Sequence, residues 1–451
     1  MGDFTNLNLT LLEYGKTVRT AHAAELRDFL RSLWAYRVDD VAFEESSNED
    51  VTRPGYQPFL TFDGDTIRAN NYVGFIQSDD ELIEIYPKVF RGIENPEQYK
   101  ELMLRHIFFW FDFCRKWKFP FTKASLDRFD FDSLPELIIN LISRQFLEAV
   151  SQQPLHLYHP IEDVLSTPRG AINFKRYINN GFATGNIHEI DCDYEPFLYD
   201  NRVNRIIKYC TRLLIGRTKV AENVRLLQEI IFVLDEVEDI ACTLHDVEAV
   251  SINAFFGDYS ACMDSCKTIL ENHLYSSNSN DLSQWCLLFP MEYIFEDFVA
   301  GFLEDRLRNE WRVEYQKSDK YLVDQPYKVF MMQHDILLTE RNSDGRKLIV
   351  DTKYKVRDKD FKTDKKRGIA QSDLYQMASY AFRRGCDDVL LLYPNISEEP
   401  CEPDVFMIDS GFDDQRSVRV TAAEIPFWSH LGPVAVVEQA EKALSRYLFP
   451  N

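Results

Sequence analysis

The sequence predicts an α+β protein with a β-rich N-terminal region, a helical middle and a C-terminal α/β core. Three observations predict this division. Apolar, β-branched runs separated by turn signals fill the first part, and apolar residues three and four apart fill the middle. The last part orders its elements as α-β-β-β-α-β. The predicted domains are 1–130, 131–280 and 281–451.

The N-terminal region is predicted to contain hairpins. Apolar runs at 59–77 and 82–90 are interrupted by Asp63-Gly64 and by Ser78-Asp79-Asp80, which are typical of hairpin turns. Residues 97–115 show helical spacing of apolar side chains. This region is therefore predicted to be mainly sheet with a helical insertion.

The middle of the chain is predicted to be mainly helical. Apolar residues recur three and four apart in 134–150, 199–216 and 222–240, and Gly216 stands where a helix would end. The polar, turn-prone segment 276–281 predicts a linker, and the main domain boundary is placed there.

Composition excludes several classes of protein. The chain has 451 residues, and its nine cysteines form no CxxC pair, which indicates reduced thiols in a cytoplasmic protein. No apolar run is long enough to cross a membrane, and no GxxxxGK[ST] phosphate-binding loop is present. The net charge of −22 argues against a general nucleic-acid binder and suits a basic protein partner.

The C-terminal core is predicted element by element. Its first helix is followed by three strands, a second helix that Gly385 ends, and a buried strand. These elements are predicted at 288–308, 311–316, 328–339, 347–356, 373–384 and 388–394.

Two aspartates of this core are predicted to face each other across a hairpin. Asp335 and Asp351 are equally far along the chain from Ser343, in a polar turn that includes Asp344-Gly345. Such residues are cross-strand neighbours, with Cβ atoms about 5 Å apart. Lys353 points to the same face as Asp351 because side chains alternate along a strand.

This grouping predicts a metal-dependent hydrolytic site. Adjacent carboxylates repel each other, and a divalent cation removes the repulsion. Mg²⁺ is expected, with Mn²⁺ as an alternative, because Mg²⁺ binds one or two carboxylates and takes further ligands from phosphate. The predicted metal ligands are Asp335, Asp351 and Thr352, and Lys353 is expected to orient a water or neutralise charge on the phosphate.

The two helices of the core add candidates. Glu296 on the first helix is a catalytic candidate, and Glu292, one turn earlier, competes with it. Gln376 and Tyr380 lie four residues apart on one face of the second helix. For Gln376 the alternative is a capping box with Asp373.

The segment that follows the catalytic strand is locally basic. Residues 353–367 contain eight lysines and arginines against three aspartates. This pattern predicts a loop that contacts DNA phosphates, and the alternative is a solvated loop. The predicted DNA contacts are Lys355, Arg357, Lys359, Lys362, Lys365, Lys366 and Arg367.

Beyond these arguments, the core resembles a known nuclease superfamily. The stretches 329–338, 348–356 and 371–381 are similar to the PD-(D/E)XK nuclease core, with the Q-x-x-x-Y motif of its RecB-like branch at Gln376 and Tyr380. His334 stands where the superfamily usually has proline. Over roughly 70–395 the chain resembles the McrC family, the nuclease subunits of McrBC modification-dependent restriction systems.

The resemblance implies a partner. McrC-like proteins pair with a McrB-like AAA+ hexamer that binds and hydrolyses GTP, so GTP would be bound by the partner and not by this chain. The N-terminal region would insert into that ring and stimulate hydrolysis, and Arg68, Lys88 and Arg91 are candidates for this contact. The substrate implied is double-stranded DNA, modified at cytosine, with recognition by the partner.

Two alternatives stay open. One is a stand-alone RecB-like repair nuclease, which would not copurify with an NTPase ring. The other is a non-catalytic activator of an NTPase partner, against which the intact Asp335, Asp351 and Lys353 argue.

Overall fold

Helices and sheets are mixed in this protein, as the sequence predicts. The first of two units comprises Met1–Leu134 and Ser283–Asn451, and the second comprises Pro135–Leu282. The predicted three-domain division stays a prediction, and the predicted linker at 276–281 lies outside the described residues. The computed structural model describes residues 7–20, 22–31, 58–78, 81–93, 96–115, 133–274, 285–341, 345–357, 364–397, 399–409 and 417–448.

The N-terminal strands of the first unit form hairpins, as predicted. Asp63 pairs with Thr66, and Gly64 in the turn has a φ of 58°, which glycine adopts at no steric cost. The hairpin predicted at 78–80 is also present, although its turn residues 79–80 lie outside the described part. The strands are β1 (Leu7–Leu12), β2 (Val18–Arg19), β3 (Leu60–Asp63), β4 (Thr66–Ala69), β5 (Tyr72–Ser78) and β6 (Glu81–Tyr86).

Helices follow these strands. Residues 23–31 are helical (α1), and α2 spans Lys100–Phe113 within the predicted 97–115. The strand predicted at 82–90 ends at Tyr86 because Pro87 has no N–H to continue the ladder, and a 3-10 turn covers Lys88–Gly92. A second 3-10 turn, Pro96–Tyr99, leads into α2.

The second unit is mainly helical and also contains short strands that were not predicted. The helix predicted at 222–240 ends at Val233. The negative charges of Asp235 and Glu236, which follow, interact unfavourably with the negative C-terminal end of a helix dipole. The elements are α3 (Leu134–Gln152), β7 (Leu157–Tyr158), β8 (Ile161–Leu165), β9 (Ala171–Ile172), α4 (Phe174–Tyr177) with a π turn Ile178–Phe182, β10 (Ile190–Tyr194), β11 (Phe197–Leu198), α5 (Arg202–Ile215), α6 (Ala221–Val233), α7 (Leu244–Glu248), a 3-10 turn Ala254–Phe256 and α8 (Gly257–Leu274).

The C-terminal part of the first unit contains a six-stranded sheet with the order β13-β14-β15-β16-β18-β17. Along the chain, α9, β13, β14, β15, α10 and β16 follow the predicted order, and β17, β18 and α11 were not predicted. The elements are β12 (Trp285–Pro290), α9 (Met291–Leu307), β13 (Trp311–Val323), β14 (Val329–Glu340), β15 (Lys347–Thr352), α10 (Gln371–Arg384), β16 (Asp388–Asn395), β17 (Asp404–Asp409), β18 (Ser417–Pro426) and α11 (Pro433–Leu448).

The first unit joins residues from both ends of the chain. Strand β12 pairs with β5 in a sheet of order β1-β6-β5-β12, so α9 begins at Met291 and not at the predicted 288. Helix α9 packs closely on α2, since a Cβ at Gly301 would lie 1.8 Å from the carbonyl oxygen of Phe113. Trp110 of α2 stacks on Phe427 at 4.0 Å and donates a hydrogen bond to its carbonyl oxygen.

Candidate active site

The two central aspartates lie at the same level of the β14–β15 hairpin. The antiparallel register pairs Ile336 with Val350, and one further step places Asp335 opposite Asp351. This is the register that the sequence predicts. Strand β15 is also paired in parallel with β16, so Asp351 lies at the carboxyl end of a central strand. Ligand sites are common at such strand ends in α/β sheets.

Thr352 holds Asp335 in place. Its backbone N–H and its hydroxyl each donate a hydrogen bond of 2.8 Å to Oδ2 of Asp335. The hydroxyl of Thr352 therefore acts here as a donor that orients the carboxylate, and a role for Thr352 as a metal ligand stays a prediction.

Asp351 is buried and forms an ion pair with Lys353. The Nζ atom of Lys353 lies 2.6 Å from Oδ2 of Asp351, whose side chain is only 3% exposed. Burial and the neighbouring charge of Asp335 raise the pKa of Asp351 to about 7, although Lys353 opposes the shift. The pKa of Lys353 is raised, because Asp351, Asp335 and the nearby Asp373 together outweigh the effect of its burial.

Glu296 approaches the pair from α9. Its Oε1 accepts a 3.0 Å hydrogen bond from Nε2 of Gln316, which lies opposite Asp335 on β13 by the register of that pair of strands. Burial, Glu296 and Asp335 all contribute to raising the pKa of Tyr315. Glu292 instead contributes to the field at Lys88. The geometry thus favours Glu296 over Glu292.

Gln316 has a backbone conformation that is rare for a residue with a side chain. Its φ of 44° lies in the left-handed region, and an irregularity in the β13–β14 register follows at 317–320. Such outliers concentrate at functional sites, where the surrounding structure maintains them. Sequence reasoning missed Gln316 and Tyr315.

Helix α10 contributes Asp373 in addition to the predicted pair. The capping-box interpretation of Gln376 is wrong, because the helix begins after Ala370 and has no side-chain cap. Asp373 instead lies 3.4 Å from Nζ of Lys355 and contributes to raising the pKa of Asp351. Asp373, for which the sequence predicted a role in helix capping, is therefore a member of the candidate site.

Gln376 and Tyr380 lie farther out on α10. Nε2 of Gln376, which is exposed, donates a 3.3 Å hydrogen bond to the hydroxyl of Tyr380. The ring of Tyr380 contacts the edge of buried His334 at 5.7 Å. His334 precedes Asp335, so Tyr380 supports the strand that carries the carboxylate, whereas Gln376 lies on the exposed face of the helix.

The basic segment divides into buried and exposed parts. Arg357 is buried, forms an ion pair with Asp404 and donates to the carbonyl oxygen of Ala422, so its predicted contact with DNA is replaced by an interior role. Arg367, which has a φ of 52°, is exposed and also pairs with Asp404. Lys355, Lys365 and Lys366 are exposed, whereas Lys359 and Lys362 lie outside the described residues.

The N-terminal candidates for partner contact are engaged within the unit. Nη2 of Arg68 donates to the carbonyl oxygen of Tyr14 at 3.1 Å, and Nη2 of Arg91 donates to that of Glu13 at 3.0 Å. Lys88 is 9% exposed, and burial lowers its pKa. The expectation that Lys88 reaches a partner is therefore wrong.

The donor set suits a divalent cation. Within the described residues, no group of three or more His, Cys, Asp and Glu side chains is arranged to hold a metal, so the candidate rests on the aspartate pair. Mg²⁺ needs only one or two carboxylates, because it keeps waters and uses phosphate oxygens. In the same part of the chain, no helix combines the length and apolar character that crossing a bilayer requires.

Comparisons with protein-family models and with solved structures find proteins to which this chain is similar. The family model described as McrBC 5-methylcytosine restriction system component matches residues 67–394. A chain from the Thermococcus gammatolerans assembly of McrB AAA+ hexamers with bound McrC is similar over 98% of this chain and 100% of that one, with a TM-score of 0.69 and 17% identity.

A second solved structure shows the same likeness of fold. A chain from the cryo-EM structure of the Thermococcus gammatolerans McrBC complex has a TM-score of 0.50 and 19% identity, covering 68% of this chain and 89% of that one. No match was found among curated proteins.

Proposed function

The chain belongs to the family of McrBC 5-methylcytosine restriction system components, and from this premise we propose that it is the Mg²⁺-dependent DNA endonuclease subunit of such a system. The observation that carries the proposal is the facing pair of Asp335 and Asp351 with Lys353 alongside. We assign the segment from α9 to β16 to the PD-(D/E)XK nuclease core, which it resembles in element order and in the position of these residues.

The carboxylate pair fits a cation because it carries unbalanced negative charge. Asp351 is buried beside Asp335, and without a cation its pKa is about 7. At neutral pH one of the two carboxylates would therefore keep a proton for part of the time. A bound cation removes this repulsion, so both carboxylates can be ionised together.

The chain's own residues would divide the work of cleavage. Asp335 and Asp351 would hold Mg²⁺, which would supply Lewis acidity at the phosphodiester and at a water. Thr352 holds Asp335 in one orientation with two hydrogen bonds. Lys353, whose side chain is 19% exposed, would orient the attacking water or neutralise charge that develops on the phosphate.

Glu296 would act from the other side of the site. Gln316 fixes its carboxylate, and the field of Glu296 overlaps that of Asp335 at Tyr315. In this position Glu296 could accept a proton from the attacking water or bind the cation through water. Both roles require the carboxylate to be ionised.

We further propose that the chain assembles with a McrB-like AAA+ hexamer that hydrolyses GTP, because the similar structures are of McrB–McrC assemblies. A feature of the second unit supports a protein partner. Phe174, Ile178 and Phe182, four residues apart, are 66%, 55% and 64% exposed. Large exposed apolar patches mark interaction sites.

The substrate proposed is double-stranded DNA, with the modified base read by the partner. Lys355, Lys365 and Lys366 are exposed on the segment that follows the catalytic strand, where they could contact phosphates. Their positive charge offsets the overall charge of −22 near the site. Contacts of this kind position the duplex without reading its sequence.

The experiment that tests the function measures two activities of one complex. The chain is copurified with its AAA+ partner, and DNA cleavage and GTP hydrolysis are measured with Mg²⁺. We expect Asp351→Ala and Asp335→Ala each to lower cleavage by about 1,000-fold or more, because both remove a cation ligand. GTP hydrolysis should stay within about 2-fold of wild type, since the nucleotide is bound by the partner.

A matched control is available on an edge strand. Asp409 on β17 is exposed, and Asp409→Ala should leave both activities unchanged. Full cleavage by Asp351→Ala would contradict the endonuclease assignment and favour a non-catalytic activator. Failure to copurify with any NTPase, with cleavage intact, would favour a stand-alone nuclease.

A further inference from the structure

A buried group of charged and aromatic residues connects the N-terminal sheet with the catalytic strand. Nζ of Lys88 donates to the carbonyl oxygen of Tyr354 at 2.9 Å and to Oε1 of Glu13 at 3.4 Å. The hydroxyl of Tyr354 donates to Oε2 of Glu13 at 3.0 Å. We call Glu13, Lys88 and Tyr354 the anchor. The proposed mechanism makes no use of it.

The anchor is unusually deep for charged side chains. Glu13 is 0% exposed and Tyr354 4% exposed. Burial removes the hydration that favours the charged form of each group. It therefore raises the pKa of Glu13 and lowers that of Lys88. Buried ion pairs of this kind often contribute no more to stability than apolar residues of similar volume. Stability alone therefore does not explain why this pair lies here.

The position of Tyr354 in the chain explains why the buried pair of Glu13 and Lys88 lies here. The backbone N–H of Lys355 donates to the carbonyl oxygen of Lys353 at 2.7 Å, so Tyr354 is the central residue of a three-residue turn. On one side of this turn, Lys353 pairs with Asp351. On the other side, Lys355 approaches Asp373.

Glu13 and Lys88 hold Tyr354 through three contacts. Its carbonyl oxygen accepts from Lys88, its hydroxyl donates to Glu13, and its ring lies 4.0 Å from Nζ of Lys88 in a cation–π contact. On the other flank, the N–H of Lys353 donates to the carbonyl oxygen of Leu392 at 2.8 Å. These contacts fix the backbone from which the Lys353 side chain extends.

We propose that Glu13 and Lys88 are positioning residues of the cleavage reaction: through Tyr354 they fix the turn that holds Lys353 against Asp351. This inference rests on the proposed endonuclease function and deepens it. It assigns to the turn that follows β1 and to the 3-10 turn after β6 a part in arranging the catalytic site. A shift of about 1 Å in a reacting group can lower a rate about 100-fold, so such support is significant.

The test removes both charges of the anchor together, so that neither is left buried without its partner. The double variant Glu13→Gln with Lys88→Met and the single variant Tyr354→Phe are assayed for DNA cleavage in the full complex, at single turnover for the rate at saturating DNA and at steady state for KM. We expect the double variant to lower the rate at saturating DNA by about 10- to 100-fold while KM changes less than about 2-fold. Tyr354→Phe, which loses one hydrogen bond, should lower the rate by about 3- to 10-fold.

A second buried pair in the same unit provides the matched control. Nζ of Lys100 lies 3.0 Å from Oε2 of Glu84, and their side chains are 13% and 2% exposed. The double variant Glu84→Gln with Lys100→Met perturbs a similar ion pair that does not touch the catalytic turn. Its cleavage rate should stay within about 3-fold of wild type. An equal loss in both double variants would overturn the positioning role.

A mutant cycle with Lys353 separates positioning from general damage. Lys353→Arg keeps the charge but not the geometry, and it should leave measurable cleavage. If the anchor acts through Lys353, adding the anchor double variant to Lys353→Arg lowers the rate by less than about 2-fold more. Multiplication of the two losses would contradict the proposal.

The outcomes for this inference and for the endonuclease function are distinguishable. If Asp351→Ala still cleaves DNA, the endonuclease function fails. If Asp351→Ala is inactive and the anchor double variant cleaves at the wild-type rate, the function stands and the positioning role fails.

Discussion

The first unit contains two buried groups of charged residues that differ in charge balance. In the anchor, one carboxylate, Glu13, accepts hydrogen bonds from the N–H and Nζ of Lys88 and from the hydroxyl of Tyr354. In the candidate active site, Lys353 pairs with Asp351, and the negative charges of Asp335 and Asp373 add to that of Asp351.

The difference indicates what each group can do. In the anchor, the charges of Glu13 and Lys88 compensate each other, so a further ion would gain little. In the active site, burial, Asp335 and Asp373 together raise the pKa of Asp351 to about 7 against the opposing effect of Lys353 at 2.6 Å, so the additional carboxylates leave negative charge uncompensated. Buried excess negative charge favours the binding of a cation. A balanced ion pair does not, and its contacts can instead hold the neighbouring backbone in place.

The largest expected effect comes from unbalancing the anchor. Lys88→Met alone would leave Glu13 buried without its ammonium partner, and we expect the free energy of unfolding to fall by about 3–5 kcal/mol. Adding Glu13→Gln should recover most of this loss, because no buried charge then remains. Chemical denaturation of the three proteins, followed by tryptophan fluorescence, measures the difference. Equal stability of the single variant and the wild type would show that the anchor is not a compensated pair.

We expect the free energy of unfolding to rise when surplus negative charge is removed from the active site. Asp351 has a pKa of about 7 in the folded protein against 3.8 for an unperturbed side chain, so the folded state binds the proton more tightly. Its contribution to the free energy of unfolding is therefore present below about pH 4 and is lost as pH rises to about 7. Asp351→Asn should stabilise the cation-free protein by about 2–4 kcal/mol at pH 8 and leave it unchanged near pH 4.

Chelator and cation distinguish this effect from simple repacking. Unfolding is measured with a chelator present and again with excess Mg²⁺. Mg²⁺ should stabilise the wild type by about 2–3 kcal/mol at 100 times its dissociation constant, and it should not stabilise Asp351→Asn. If the variant at pH 8 with chelator is no more stable than the wild type, the surplus-charge interpretation is wrong.

Much of this arrangement could be predicted from the sequence because hairpin geometry is local. The equal spacing of Asp335 and Asp351 from the turn determines their register, and the alternation of side chains places Lys353 beside Asp351. Gln316 could not be found in this way. It lies on β13 opposite Asp335 of β14, in a left-handed conformation next to a register irregularity that no local sequence pattern predicts.

The anchor was also beyond sequence reasoning, because its residues are far apart in the chain. Lys88 is separated from Tyr354 by 266 positions, and its charge and its place near a hairpin favoured an exposed role. Arg357 shows the same difficulty within the basic segment, because only the fold reveals that Asp404 pairs with it in the interior. Charge patterns predict a surface by default, and long-range pairing decides which charges are buried.

The smallest expected effect concerns the positive charges outside both groups. Lys365 and Lys366 are exposed, and Nζ of Lys366 contacts only Oε1 of Gln371, at 3.0 Å, among the hydrogen bonds described. If both lysines contact phosphates, Lys365→Ala with Lys366→Ala should weaken DNA binding several-fold. The slope of log affinity against log salt should then fall by about 1 for each lysine.

The control for this salt dependence is Lys442→Ala on α11, which removes one exposed positive charge from another element. It should leave the slope unchanged. Binding is titrated between about 50 and 200 mM salt, with Mg²⁺ replaced by chelator so that cleavage does not interfere. A slope that falls equally in the control and the double variant would mean that only the net charge of −22 matters. The positive segment would then be a solvated loop, and the aspartate pair would have to bind its phosphate without help from these lysines.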